Sequence, residues 1–314
     1  MSTILKGTGE VLTHKKYGEH YHSLTIVAPE IGEAVRPGQF VNIRCGEGRA
    51  NILRRPFSVY RVHKRGGWAS TIEIVFDIRG PGTTHLSHLR GHSIVDLIGP
   101  VGRGFALPKR RAHCLLVGGG IGAAPLFFLA DELRNEGHRV DVILGARNSG
   151  LLLGAIEARR LASVCKSTTE DGSAGDVGRV TDVMPEMMER CETEVVYACG
   201  PHPMLAAVSR IAAESKIPVQ VAVEELMACG WGVCMTCVMP LRRPPKRDES
   251  PEDAIVYARS CTEGPVFNGA QVVWNGAAED VAHDQAELSP GGEASRSTSA
   301  HLLESDHEFA PPGN

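Results

Sequence analysis

The chain has 314 residues, 42% of them hydrophobic, and a formal net charge of −4. This length exceeds what one core usually supports and predicts two or three domains. The acidic balance, with no basic patch interleaved with aromatics, argues against nucleic-acid binding, and no stretch reaches the ~18 apolar residues of a membrane span. Residues 1–10 carry neither a long apolar run nor a small-residue cleavage site, so a cytoplasmic location is expected.

The first hundred residues read as strands and turns. Segments 24–28, 40–44, 57–62 and 71–78 are rich in β-branched or aromatic residues, with breaks at Pro37-Gly38, Gly66-Gly67 and Gly80-Pro81-Gly82. Short strands at this spacing predict a small antiparallel β-barrel that ends in the glycine-rich stretch 99–105. From Ala112 the pattern changes. A short apolar strand over 113–117 leads into Gly118-Gly119-Gly120, then a helix over 124–137 and a strand over 140–144. A strand over 194–198 runs into Cys199-Gly200-Pro201, followed by a helix over 203–215 and a strand over 219–223. Strands alternating with helices predict a parallel α/β sheet, and the first boundary falls near Leu107.

Residues 224–274 are short on apolar runs and dense in cysteine. Within them, 240–253 holds four prolines, four basic and four acidic residues, a composition that predicts an exposed loop. The stretch 275–314 has eight acids against one arginine and neither Tyr nor Trp, and is expected to be disordered. The expected organisation is thus a barrel domain (1–107), an α/β domain (108–223), a small cysteine-rich domain (224–274) and an acidic tail (275–314).

Nine cysteines need an explanation in a protein expected to keep its thiols reduced. Five are scattered, but four follow the pattern Cys229-x4-Cys234-x2-Cys237 and then, after 23 residues, Cys261. This is the spacing of plant-type [2Fe–2S] sites, in which backbone N–H groups of a wrapping loop point at the sulfurs. Gly230 and Gly232 supply the close approach and free φ angles such a loop requires. A four-cysteine zinc site is the competing reading, although zinc sites usually carry two CxxC pairs and only Cys234-x2-Cys237 fits that form.

The strand–glycine–helix context of Gly118 to Pro125 predicts a pyrophosphate site at a helix N-terminus, with Gly120 and Gly122 admitting the phosphates. Cys199 and Gly200 close a strand at the carboxyl edge of the sheet, where ligands of α/β proteins bind. A buried small hydrophobe is the plainer role for Cys199. The usual ribose-binding acid is missing after the second strand, where Gly145-Ala146-Arg147 stands.

Together these segments resemble the ferredoxin–NADP reductase superfamily, and within it the electron-transfer subunits of class 1B dihydroorotate dehydrogenases, over about residues 8–274. Arg54-Arg55-Pro56-Phe57-Ser58 resembles the flavin motif R-x-[YF]-S, and Gly80-Pro81-Gly82-Thr83-Thr84 resembles the turn that seats FAD phosphate. Glu225 to Gly230 and Cys261 to Phe267 resemble the subunit itself.

The resemblance implies FAD held by Arg55, Pro56, Phe57, Ser58, Val75, Phe76, Asp77, Gly82, Thr83 and Thr84. It implies NAD(H) as co-substrate at Gly120, Gly122, Cys199 and Gly200, and one [2Fe–2S] cluster on Cys229, Cys234, Cys237 and Cys261. It implies a separate FMN-containing catalytic dihydroorotate dehydrogenase subunit as partner, in a heterotetramer of two plus two, serving pyrimidine biosynthesis. Electrons run from dihydroorotate through that FMN to the cluster, FAD and NAD+, and no side chain here has to act as general acid or base. The resemblance and the absence of clustered basic residues after the second strand favour NAD(H) over NADP(H), with Arg147 the one opposing residue. A reductase subunit serving a hydrogenase, sulfur reductase or ferredoxin shares the same motifs, and a zinc-stabilised nucleotide-binding regulator is the non-enzymatic alternative.

Overall fold

A computed structural model describes residues 4–46, 52–246, 250 and 254–274. The predicted acidic tail lies outside the described residues, as do 247–249 and 251–253 of the predicted loop. Among the described residues no helix is long and apolar enough to cross a membrane.

Seven antiparallel strands form the first sheet: β1 (Leu5–Tyr17), β2 (Tyr21–Val27), β3 (Phe40–Ile43), β4 (Arg55–Ser58), β5 (Arg61–Arg65), β6 (Trp68–Asp77) and β7 (Ile94–Val101), in the order β4-β3-β7-β1-β2-β6-β5. The edge strands β4 and β5 are successive halves of one chain segment. Val59 N–H donates to the Gln39 carbonyl, and Tyr60 N–H to the Glu73 carbonyl (2.8 Å), so the chain leaves one edge and joins the other within two residues. The sheet therefore curls into the expected barrel. Its interior holds Leu24, Ile26, Val41, Ile43, Phe57 and Phe76, alternating along the strands with residues that face outward. Two helices decorate it, α1 (Pro29–Ala34) and α2 (Pro81–Ser87).

The second sheet has the order β11-β10-β9-β8-β12-β13-β16. Its strands are β8 (His113–Gly119), β9 (Arg139–Ala146), β10 (Cys165–Thr169), β11 (Asp176–Val177), β12 (Val195–Cys199), β13 (Val219–Ala222) and β16 (Val266–Asn268). All pairs are parallel except β13–β16. Strand β8 is buried from Cys114 to Gly119, as a parallel strand covered on both faces must be. Helices α3 (Ala124–Asn135) and α4 (Ala155–Leu161) pack on one face with the barrel residues Tyr21, Tyr60 and Val75. Helices α5 (Val180–Arg190) and α6 (His202–Glu214) cover the other.

The segment expected as an exposed loop, 240–253, is a hairpin at its base. Strand β14 (Val238–Arg242) pairs with β15 (Ile255–Arg259), with Pro240 opposite Tyr257. Pro240 is tolerated because it needs no donor there: its carbonyl accepts from Val273 N–H at 3.0 Å, and the two-stranded ribbon leaves it at an edge. Composition hid these strands because the charged and proline-rich part dominates the window. Strand β16 also shows that the cysteine-rich region is sewn into the α/β sheet through Val221↔Phe267.

Candidate functional site

The parallel sheet reverses direction at β8. Its crossover through α3 leads to β9 on one side, whereas β12 lies on the other. The carboxyl ends of β8 and β12 therefore frame the switch-point crevice in which α/β ligands bind. Both nucleotide elements read from the sequence end there. Gly120 has φ +54°, a left-handed value that favours glycine, with open space where a Cβ would stand. A Cβ on Gly122 would lie 2.6 Å from Gly200 Cα, so the two glycines allow backbone-to-backbone contact across the crevice floor. Cys199 is buried in the apolar core with Ala123 and Tyr197, and burial pushes its thiol well above the ordinary range. It is a neutral floor residue rather than a reactive thiolate.

On the barrel, Arg54 and Arg55 part company. The Arg54 guanidinium is held by Asp96 of β7, through Oδ2 at 2.5 Å and the carbonyl at 2.9 Å. Arg55 donates only to the Leu53 carbonyl (3.0 Å), and among the described residues no carboxylate pairs with it. Its side chain lies against Gly82, where a Cβ would sit 3.5 Å from Arg55 Cγ and 3.3 Å from Cys45 Cβ. The flavin motif and the Gly80–Thr84 turn, 22 or more positions apart in the chain, thus meet as a guanidinium with no carboxylate partner among the described residues beside a helix start, a combination suited to a diphosphate. Thr83 Oγ1 accepts from Arg79 N–H (2.8 Å) and donates to the Gly80 carbonyl (3.1 Å), and Thr84 Oγ1 also donates to Gly80 O (3.0 Å). These hydroxyls shape the turn. Asp77 is paired with Arg79 at 2.9 Å.

Phe57 and Phe76 turn into the barrel interior, edge to face at 5.8 Å, so what they offer a cofactor is a rigid strand rather than a ring surface. Pro56 and Ser58 lie on the opposite face of β4, which they share with Asn42 and Phe40, their Cα partners on β3. Val75 lies in the core that joins the barrel to Ala123 and Cys199.

That shared β3–β4 face leads to the cysteines. Cys237 and Cys261 are buried with Phe40 and Val101, and Met227 packs against them. The Cys229 loop turns through Gly230 (φ +79°) and Gly232 (φ +81°), and a Cβ on Gly230 would strike Asn42 Nδ2 at 2.5 Å. Cys229 Sγ accepts backbone N–H bonds from Trp231 (3.5 Å), Val233 (3.4 Å) and Cys234 (3.4 Å). Burial opposes it, but these donors together draw the Cys229 thiol below its ordinary range. The Thr236 hydroxyl (3.2 Å), with backbone donors, draws Cys234 down to about 6.

Cys229 and Cys234 sit on one loop, where Cys234 N–H donates to Cys229 Sγ, whereas Cys237 and Cys261 are buried together behind Phe40 and Val101. Among the described residues no group of three or more His, Cys, Asp or Glu side chains is arranged around a single metal ion.

Asn42 escaped the sequence reading. Its Nδ2 is buried without a hydrogen-bond partner between the barrel and the Cys229 loop, a donor suited to an acceptor on a bound group. The available signal was a polar residue inside the apolar run Phe40-Val41-Asn42-Ile43.

The contrast between the two arginines yields an expected result. Arg55→Ala should lower retained FAD through loss of a charge-assisted bond of about 1.5–3 kcal/mol, roughly tenfold or more in affinity. Arg54→Ala should lower thermal stability with less effect on FAD. Flavin absorbance per chain after gel filtration, beside a melting curve, distinguishes them; equal flavin content in wild type and the Arg55 variant would refute the assignment.

Residues 224–273 match the family described as the iron-sulfur cluster binding domain of dihydroorotate dehydrogenase B, and 116–210 match the oxidoreductase NAD-binding domain. The chain is 38% identical over 247 residues to the "Dihydroorotate dehydrogenase B (NAD(+)), electron transfer subunit" of Desulforamulus reducens, covering 79% of this chain and 90% of that protein. It is 35% identical over 266 residues to the protein of the same name from Geobacillus thermodenitrificans, covering 84% and 96%. Among solved structures, a chain of the NADH-dependent reduced ferredoxin-NADP oxidoreductase superposes with TM-score 0.72 at 28% identity, covering 85% of this chain and 90% of that one. A ferredoxin NADP+ reductase from Neisseria gonorrhoeae with bound FAD and NADP shares the fold, with TM-score 0.54 at 17% identity over 67% of this chain and 91% of that one.

Proposed function

The chain belongs to the family of electron transfer subunits of dihydroorotate dehydrogenase B, and from that premise we propose which of its residues carry electrons between a catalytic partner and NAD+. The observation that carries the reading is that one chain builds three matching sites: the Arg55–Gly82 corner, the Gly122–Gly200 crevice floor, whose Ala123 and Cys199 share a core with Val75 of the barrel, and the buried cysteines behind Phe40. When bound, FAD exchanges hydride with the nicotinamide and single electrons with the [2Fe–2S] cluster.

The residues have separate tasks in this reading. Arg55 and the Gly80–Thr84 turn hold the FAD diphosphate. Pro56 and Ser58 present the flavin on the β3–β4 face, and Gly120 and Gly122 admit the dinucleotide diphosphate. Cys199 and Gly200 give the nicotinamide an apolar, water-poor floor. Cys229, Cys234, Cys237 and Cys261 would hold the [2Fe–2S] cluster. The chain divides at about 107 and 223 into FAD, NAD and cluster parts. The partner carries FMN, and the assembly is two plus two.

Met227 shields the buried cysteine pair, but Trp231, Val233 and Met235 are exposed, and Leu226 beside them is 84% exposed. Apolar residues gathered around a redox centre suit a docking surface for the catalytic subunit. Trp231→Glu tests the reading in co-expressed complex. Loss of a central Trp typically costs about 2–4 kcal/mol, so partner affinity should fall roughly 30- to 1,000-fold. Dihydroorotate-dependent NAD+ reduction should fall with it, while cluster absorbance and flavin reduction by NADH persist. An intact complex, or loss of the cluster itself, would count against this surface.

A further inference from the structure

The barrel and the α/β sheet meet through an apolar core, and such contacts alone do not define one register, because apolar packing is non-directional. One polar network crosses this core. Glu157 of α4 takes hydroxyl bonds from Tyr17 of β1 (2.8 Å) and from Tyr60 at the β4–β5 corner through one carboxylate oxygen, and pairs with Arg61 of β5 through the other. Arg61 Nε also donates to Asp131 of α3 at 2.8 Å. The Arg61 guanidinium lies 5.5 Å from the Tyr60 ring centroid, and that ring packs on Phe127 of α3 at 5.2 Å. The side chains of Arg61 and Glu157 are 23% and 21% exposed, and Tyr60 is fully enclosed. Three barrel residues thus converge on one acid of the other half, at fixed angles.

The placement of this network gives it consequence. Residues 55–61 carry the flavin motif at one end and Tyr60 and Arg61 at the other. Helix α3 follows the Gly120–Ala123 turn and carries Phe127 about one turn and Asp131 about two turns from its start. The β4–β5 corner and one helix therefore link the network to the two sites whose ligands must meet. Partly buried ion pairs contribute little net stability, yet their geometry is specific. The arginine also separates two acids: without it, Glu157 and Asp131 face each other, and burial already raises the Asp131 carboxyl.

We propose that Tyr17, Tyr60, Arg61, Asp131 and Glu157 form an interdomain latch that sets the distance between flavin and nicotinamide, making them positioning residues for hydride transfer. The proposal rests on the hydride reading above. A misplacement of about 1 Å can cost ~100-fold in rate, so partial loosening should be visible in the hydride step before it is visible in binding.

The test uses the full chain with FAD bound, as Glu157→Gln and, separately, Tyr60→Phe, which keeps the ring on Phe127. In stopped-flow reduction by NADH the limiting rate should fall about tenfold in Glu157→Gln and less in Tyr60→Phe. FAD content and the apparent Kd for NADH should stay within about twofold of wild type. Hydrogen–deuterium exchange should quicken in 155–161 in both variants without any nucleotide present. Unchanged limiting rates, or unchanged exchange in 155–161, would overturn the proposal. If Glu157→Gln fails to fold or loses FAD, Tyr60→Phe decides by the same two measurements. If NADH fails to reduce wild-type flavin, the hydride reading itself falls, and the exchange measurement still decides whether a latch exists.

Discussion

Cys234→Ser should abolish the iron–sulfur centre. Iron should drop from about two atoms per chain to background, and the broad visible absorption beneath the flavin bands should vanish. Cys234 is exposed; its N–H donates to Cys229 Sγ while its own thiol accepts from Thr236 Oγ1, so on the proposed assignment its loss removes one of the four thiolates and loosens a second. The buried pair Cys237 and Cys261 cannot compensate, because it is held against Phe40 and Val101. Dihydroorotate-dependent NAD+ reduction by the complex should fall to background, while NADH should still reduce FAD. The fold should survive, since neither sheet depends on the 229–237 loop. Full iron retention with an unchanged spectrum would defeat the ligand assignment. Zinc in place of iron in the purified wild type would defeat the cluster reading as a whole.

Gly122→Ala should lower flavin reduction by NADH about 100-fold, equivalent to ~2.7 kcal/mol in barrier height. The new methyl group would stand 2.6 Å from Gly200 Cα and 2.8 Å from Gly200 N. Both are backbone atoms and cannot swing aside, so the Gly120–Ala123 turn and the Cys199–Gly200 strand end must separate by about 1 Å to restore van der Waals contact. That shift moves the nucleotide site against the flavin. Gly120→Ala is the useful contrast. Its Cβ meets nothing within 4 Å, but φ +54° makes it pay about 1 kcal/mol in backbone strain. It should lower the melting temperature with a smaller effect on the rate. Similar rates in Gly122→Ala and wild type would show that the two elements do not jointly seat the nucleotide.

Much of the fold was legible in the sequence because its signals are local. Segments rich in β-branched or aromatic residues between glycine and proline breaks marked β2, β3 and β6, and apolar runs ahead of glycine marked β8 and β12. Strands β1 and β7 went unread because neither carries an apolar run bounded by strong breakers, and β1 is interrupted by Lys15-Lys16. The stretch holding α4, β10, β11 and α5 also went unread; Pro185 inside α5 argues against a helix when read alone. The proline-rich window over 240–253 concealed a hairpin whose arms are held by long-range pairing.

The site divides in the same way. By itself the sequence determined which atoms are available for chemistry: four cysteines at cluster spacing, a glycine run between strand and helix, and a flavin motif whose arginine could be named. These are properties of spacing, and spacing is covalent. Only the tertiary structure decided how the groups are shared out. Asp96 claims Arg54, while among the described residues no carboxylate pairs with Arg55. Cys237 and Cys261 are buried behind Phe40 while Cys234 is exposed, Phe57 and Phe76 face the barrel interior, and Gly122 rests on Gly200. Asn42 and the Glu157 network were invisible for the same reason. An asparagine in a strand or a glutamate on a helix acquires a role only from partners that chain folding brings to it, here from 97 residues away for Tyr60 and Glu157. Local pattern records what a residue can do; long-range packing selects which of those capacities is used.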